Sequence, residues 1–255
     1  MKRNLNCSVI AVIVLPACLA IGAIAAAPAD PGPLSKYAPL ADLMALHDQL
    51  TKALNEGVVD EAAFTERKEQ IPKDAHTLAA LVMVLAHHDG ADEKWKATAG
   101  AQLSAAQALA KAKDFASAQA AHADYQAAIK GDGPNKPIPE WGKVASQGQL
   151  MKQVTIVNSR LRRNMRRFEE RDKENARDAA LLVAIAQATN YDTHEVKDQA
   201  KLDKWYQYCD EMRDASAELS AKIHSKDKAG AELALSKVLK SCEGCHEQFR
   251  VTTTP

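Results

Sequence analysis

The stretch "SCEGCHEQFR", residues 241–250, places Cys242, Cys245 and His246 in one short run near the C-terminal end of a 255-residue chain. C-x-x-C-H is the spacing used for covalent attachment of a c-type haem. On a helix, Cys242 and Cys245 (i, i+3) and Cys242 and His246 (i, i+4) share one face. Leu235, Val238 or Leu239 before them and Phe249 after them continue that face as an apolar stripe. The motif therefore points toward the interior of a helical bundle. Two other chemistries compete for the same residues. A zinc site needs two further ligands, normally as another close Cys/His pair, and Cys209 and His224 are dispersed. A redox dithiol needs a βαβ context, and no such pattern is present.

Working outward, the composition favours helix. Hydrophobic residues make up 46% and aromatics 5%, and the chain is rich in Ala, Leu, Lys, Glu and Gln, which lose little freedom in a helix. Upstream of the motif the pattern predicts helices over 146–170, 173–189, 194–224 and 227–250. Breaks fall at Asn190 and at Lys226-Asp227, and short connections imply antiparallel neighbours. The first of these helices carries Met151, Val154, Val157, Leu161, Met165 and Phe168 at alternating three/four spacing, one apolar seam.

At the other end, residues 1–27 read as an export signal. Lys2 and Arg3 precede an apolar run from Val9 to Ile24, and Ala25-Ala26-Ala27 supplies a small-residue cleavage site. The expected location is the periplasm, with no transmembrane anchor after processing. Removing the leader takes away Lys2 and Arg3 and no carboxylate, so the balance of 33 Lys+Arg against 33 Asp+Glu tips slightly acidic. That charge gives no reason to expect nucleic acid as a partner. Cys7 and Cys18 go with the leader. The three cysteines that remain, Cys209, Cys242 and Cys245, are too few for a disulfide scaffold.

Two Pro/Gly-rich stretches, "APADPGPLSKYAP" (27–39) and "GDGPNKPIPEWG" (131–142), punctuate what is left. They delimit a four-helix segment over 28–131, a linker over 132–145 and a second four-helix segment over 146–255. The segments resemble each other. Leu43-Met44 lines up with Leu150-Met151, "KDAHTLAAL" (73–81) with "RDAALLVAI" (177–185), Lys94-Trp95 with Lys204-Trp205, and Lys113-Asp114 with Lys226-Asp227. The spacing changes only where loops are expected, as in diverged duplicates. Carried onward, the alignment sets Cys242, Cys245 and His246 on Ile129, Asp132 and Gly133, so the first segment lacks the whole motif. The expected fold is all-α: two tandem four-helix bundles, the first a degenerate copy.

Other features carry less. Arg160, Arg163, Arg167 and Arg171, interleaved with Glu169 and Glu170, predict a solvated face with internal ion pairs; a docking patch or an arginine facing a haem propionate is the alternative. Trp95, Trp141 and Trp205 read as packing anchors. His47, His87 and His88 read as surface or core residues, and Cys209 as a thiol without a role.

The run "CEGCHEQFR", closing a bundle whose first helix bears Met151, resembles the class II cytochromes c, the cytochrome c prime group and its low-spin relatives. The resemblance covers residues 141–255. It implies one haem c held by thioethers from Cys242 and Cys245, with His246 as proximal ligand and Arg250 near a propionate. It also implies that Met151, with Met165 as the alternative, binds the iron on the far side; in cytochrome c prime proper an apolar side chain blocks that face. The function implied is one-electron transfer to a redox partner protein, without substrate turnover. Alternatives are a five-coordinate haem protein that binds NO or CO, and a scaffold that docks a partner, or a second copy as a homodimer, through 28–131.

Overall fold

A computed structural model describes residues 28–250; the expected signal at 1–27 lies outside the described residues, as does 251–255. Among the described residues every regular element is helical: α1 Leu40–Gly57, α2 Glu61–Arg67, α3 Ile71–His87, α4 Glu93–Lys111, α5 Phe115–Lys130, α6 Gln147–Asn164, α7 Asp172–Asn190, α8 Leu202–His224 and α9 Lys228–Phe249. Short 3-10 turns precede α1 and α6, at Leu34–Lys36 and Trp141–Lys143. None of these helices is long and apolar enough to cross a membrane.

The helix starts follow local chemistry. Asp92 accepts from the Trp95 N–H to open α4, and Asp227 accepts from the Gly230 N–H to open α9. Asp114 and Ser117 cap each other across the first turn of α5. Each cap satisfies backbone donors that the helix itself leaves unpaired.

Three features differ from the sequence expectation, the first being that the helix expected to run to residue 170 ends at Asn164 and gives way to a 3-10 turn at Met165–Arg167. The helix expected from residue 194 begins at Leu202. Asp192 takes the His194 N–H and Asp198 takes the Ala200 N–H; these side chains offer the backbone an alternative to helical pairing. In the first half a fifth helix, α2, appears where four were expected. Asp60 nucleates it by accepting from the Ala63 N–H, and Phe64 anchors it in the core.

Consecutive helices fold back on each other, most extensively α3 on α4, α4 on α5, α7 on α8 and α8 on α9. The contact between the two halves is reciprocal: α1 packs on α7, α6 packs on α3, and α3 meets α7. One apolar cluster runs through both halves. Its centre is the pair α3 and α7, where Leu78–Leu85 and Ala179–Ala186 are buried at every position, as expected for helices that are apolar all round.

The segment after α5 is held against the first half. At Gly100 of α4 a Cβ would stand 1.8 Å from the Lys136 carbonyl oxygen, so only glycine lets the chain cross there. The Gln107 amide donates to the Lys143 and Val144 carbonyls. Trp141 stacks on Tyr191 at 5.2 Å, and the Arg213 guanidinium lies 4.4 Å above the Tyr37 ring.

Candidate functional site

The C-terminal ends of α9 and α7, the N-terminal part of α8 and the face of α6 enclose a cavity of about 480 Å³, within the ~300–1,000 Å³ range of small-molecule and cofactor sites. Five residues singled out in the sequence line it: Cys242, Cys245 and His246 from α9, Arg250 just past its end, and Met151 from α6. Met165 does not. It is buried in the core, about four helical turns from Met151.

The floor is apolar. Trp205 is 1% exposed, donates its indole N–H to the Thr189 carbonyl at 3.2 Å and meets Phe249 edge-on at 5.1 Å. Cys209 and Met212 extend the same wall along α8. The close approach of α9 to α8 needs Gly244, because a Cβ there would sit 2.7 Å from the Tyr208 ring.

All three thiols are free; Cys209 is buried, Cys242 and Cys245 half-buried. Burial pushes the Cys245 thiol up to about 11 and raises Cys242 as well, because a thiolate is poorly solvated there. His246 and Arg250 are exposed at the rim. Desolvation, then the neighbouring Arg250 charge, holds the His246 imidazole below its ordinary range, which favours the uncharged ring at neutral pH. Among the described residues no group of three or more His, Cys, Asp or Glu side chains converges on a metal-ion site.

The cavity wall also carries polar atoms without a hydrogen-bond partner: Thr189 Oγ1, Gln147 Oε1 and Asn158 Oδ1. Buried polar atoms are rarely left unpaired. Sequence reasoning missed Thr189, Asn158 and Met212, and gave Cys209 no role. Trp205, Cys209 and Met212 do follow helical spacing, but that pattern marks a buried stripe and does not distinguish core from cavity wall.

The arginine run lies elsewhere. Arg160 Nε bonds the buried Asp178 at 2.7 Å, and Arg171 bonds Glu174 at 3.0 Å. Arg167 pairs with Glu170. None of the four arginines lines the cavity, so internal ion pairing describes the run and a propionate-facing arginine within it does not.

In the first half a chain of hydrogen bonds links α1, α5 and α4. His47 sits on α1 one turn beyond Met44, and its Nε2 lies 2.8 Å from Tyr125 Oη. Tyr125 donates to Gln102 Oε1 at 3.4 Å, Gln102 donates to Thr98, and Thr98 donates to the Trp95 carbonyl. With the His47 proton on Nε2 the chain runs in one direction and each donor is used. Of the positions aligned with the motif, only Ile129 is on α5; the helix ends at Lys130, before Asp132 and Gly133.

Residues 197–250 match the family model for cytochrome C′. No curated protein and no solved structure matches the chain. The matched stretch contains α8, α9 and the whole C-x-x-C-H motif, so the C-terminal segment is similar to the cytochrome C′ family, which supports a haem-binding c-type cytochrome.

Proposed function

We propose that the chain is an exported, periplasmic one-electron carrier with a single haem c, attached through Cys242 and Cys245 and ligated by His246 and Met151. The observation that carries this is the convergence on one cavity of two thiols, an imidazole and a thioether from separate helices. The residues fit such a group. The donor set is the one haem c requires, the floor is apolar, and the unpaired polar atoms on the wall await partners. A haem held there supplies one-electron exchange at a potential that a thioether ligand raises.

The chain's own residues do the rest. Cys242 and Cys245 fix the group to α9. His246 is kept neutral and is carried on the last turns of a helix clamped to α8 by Gly244. Trp205, Phe249 and Met212 exclude water, which keeps the local dielectric low and limits rearrangement when the charge changes. Arg250 at the rim is placed for a carboxylate substituent. The partner is a redox protein, and no substrate is turned over.

One observation favours a second reading. Thr189 is 6% exposed with an unpaired hydroxyl on the cavity wall. If Met151 only packs, that hydroxyl is available to a diatomic ligand such as NO or CO. A visible spectrum of the matured protein decides between them. Sharp bands on dithionite reduction that CO leaves unchanged support Met151 ligation. A broad high-spin spectrum that shifts with CO moves the function to gas binding. A matured protein without a haem spectrum overturns both.

A further inference from the structure

We propose that, before a haem is attached, Cys209 and Cys245 close a disulfide that withdraws Cys245 from the attachment pair. The link itself follows from helix register; its consequence for attachment rests on the function proposed above. The turn at residues 225–227 folds α9 back antiparallel to α8. Trp205 of α8 faces Phe249 of α9, ring centroids 5.1 Å apart. One turn forward along α8 is Cys209, and one turn back along α9 is Cys245. Cys245 accordingly packs against the cluster formed by Val196, Leu202, Trp205 and Cys209. Cys242 packs instead against the main core, so the neighbour of Cys209 is Cys245. Gly244 brings the two helices together beside the pair, and a disulfide needs such an approach, with Cα atoms about 4.4–6.8 Å apart.

The oxidant is a disulfide, with glutathione disulfide as the probe. Cys245 loses its proton to solvent and its sulfur attacks, forming a mixed disulfide and releasing one glutathione thiolate. Cys209 then loses its proton and displaces the second glutathione. Two protein thiols become one disulfide, and one glutathione disulfide becomes two thiols. Cys242 is left alone, and at most one thioether can form until the link is reduced.

The test uses the haem-free full-length chain, equilibrated with glutathione disulfide, alkylated, digested and mapped by mass. The expected result joins the peptides holding Cys209 and Cys245 and leaves Cys242 alkylated, with dithiothreitol restoring all three thiols. Cys242→Ser should keep the link. Cys209→Ala should bring haem content under oxidising conditions up to the level of the reduced chain. A Cys242–Cys245 link with Cys209 alkylated, or three alkylated thiols, overturns the proposal. A chain that forms the link yet never takes up haem leaves the disulfide standing and sinks the haem function instead.

Discussion

The two halves of this chain run a similar order of elements to opposite ends, with α2 added in the first. In each, a 3-10 turn leads into a long helix, a helix with a wholly buried apolar stretch follows, and an antiparallel pair closes the unit. In the second half the closing pair and α6 surround a cavity lined by thiols, an imidazole and a thioether. In the first, α5 stops at Lys130, the chain crosses α4 at Gly100, and a His–Tyr–Gln–Thr chain occupies the interior. On the function proposed above, haem binding on this scaffold would depend on two things: a last helix that continues far enough to carry the motif, and a neighbouring interior that side chains leave open.

The sharpest way to break the comparison is at the motif. Replacing Cys242 and Cys245 together with Ser should abolish covalent haem, seen as complete loss of haem staining after denaturing electrophoresis. Ile129→Ser, at the aligned position, should leave staining intact. Next in size, Met151→Ala should convert a low-spin spectrum to a high-spin one and open the protein to CO. Met44→Ala, its counterpart, should leave the spectrum untouched, so a spectral change there would erase the distinction between the halves.

Smaller effects sharpen the first half. Gly100→Ala drives a Cβ into the Lys136 carbonyl and should cost about 1–3 kcal/mol in urea unfolding, without moving the haem bands. Tyr125→Phe leaves His47 and Gln102 without their shared partner and should cost about 1–2 kcal/mol. The smallest effect is in pH. Burial holds the His47 pKa below its ordinary 6.5, so as pH falls the unfolded chain takes up a proton before the folded one. Its contribution is complete above that value and declines as pH drops toward the folded pKa, by about 1.4 kcal/mol per unit of separation. His47→Gln should flatten the fall in stability between neutral and mildly acidic pH, and an unchanged slope would place the acid sensitivity elsewhere.

Much of this was legible beforehand. The C-x-x-C-H helix, the α6 seam with Met151 and the break at Lys226-Asp227 are all short-range patterns; the cysteines face the cavity half-buried, while His246 stands exposed at its rim. What escaped is long-range. "AHTLAALVMVLA" (75–86) and "NARDAALLVAIAQATN" (175–190) are too apolar to have a solvent face, a sign that both helices lie between layers. The sequence does not say which helices cover them, so the shared core was not foreseen. Periodicity also reports which face of α8 is buried without reporting what fills the space in front of it, and so Met212 and Thr189 went unnoticed as wall. At 194–201, two aspartates outcompeted a helical pattern locally.

The shared core bears on how the chain fares while it awaits its haem. Long apolar helices are the parts of an incomplete protein most prone to aggregate. Here α1 and α3 pack on α7, and neither helix lines the cavity. On the function proposed above, this packing keeps α7 shielded whether or not a haem is present.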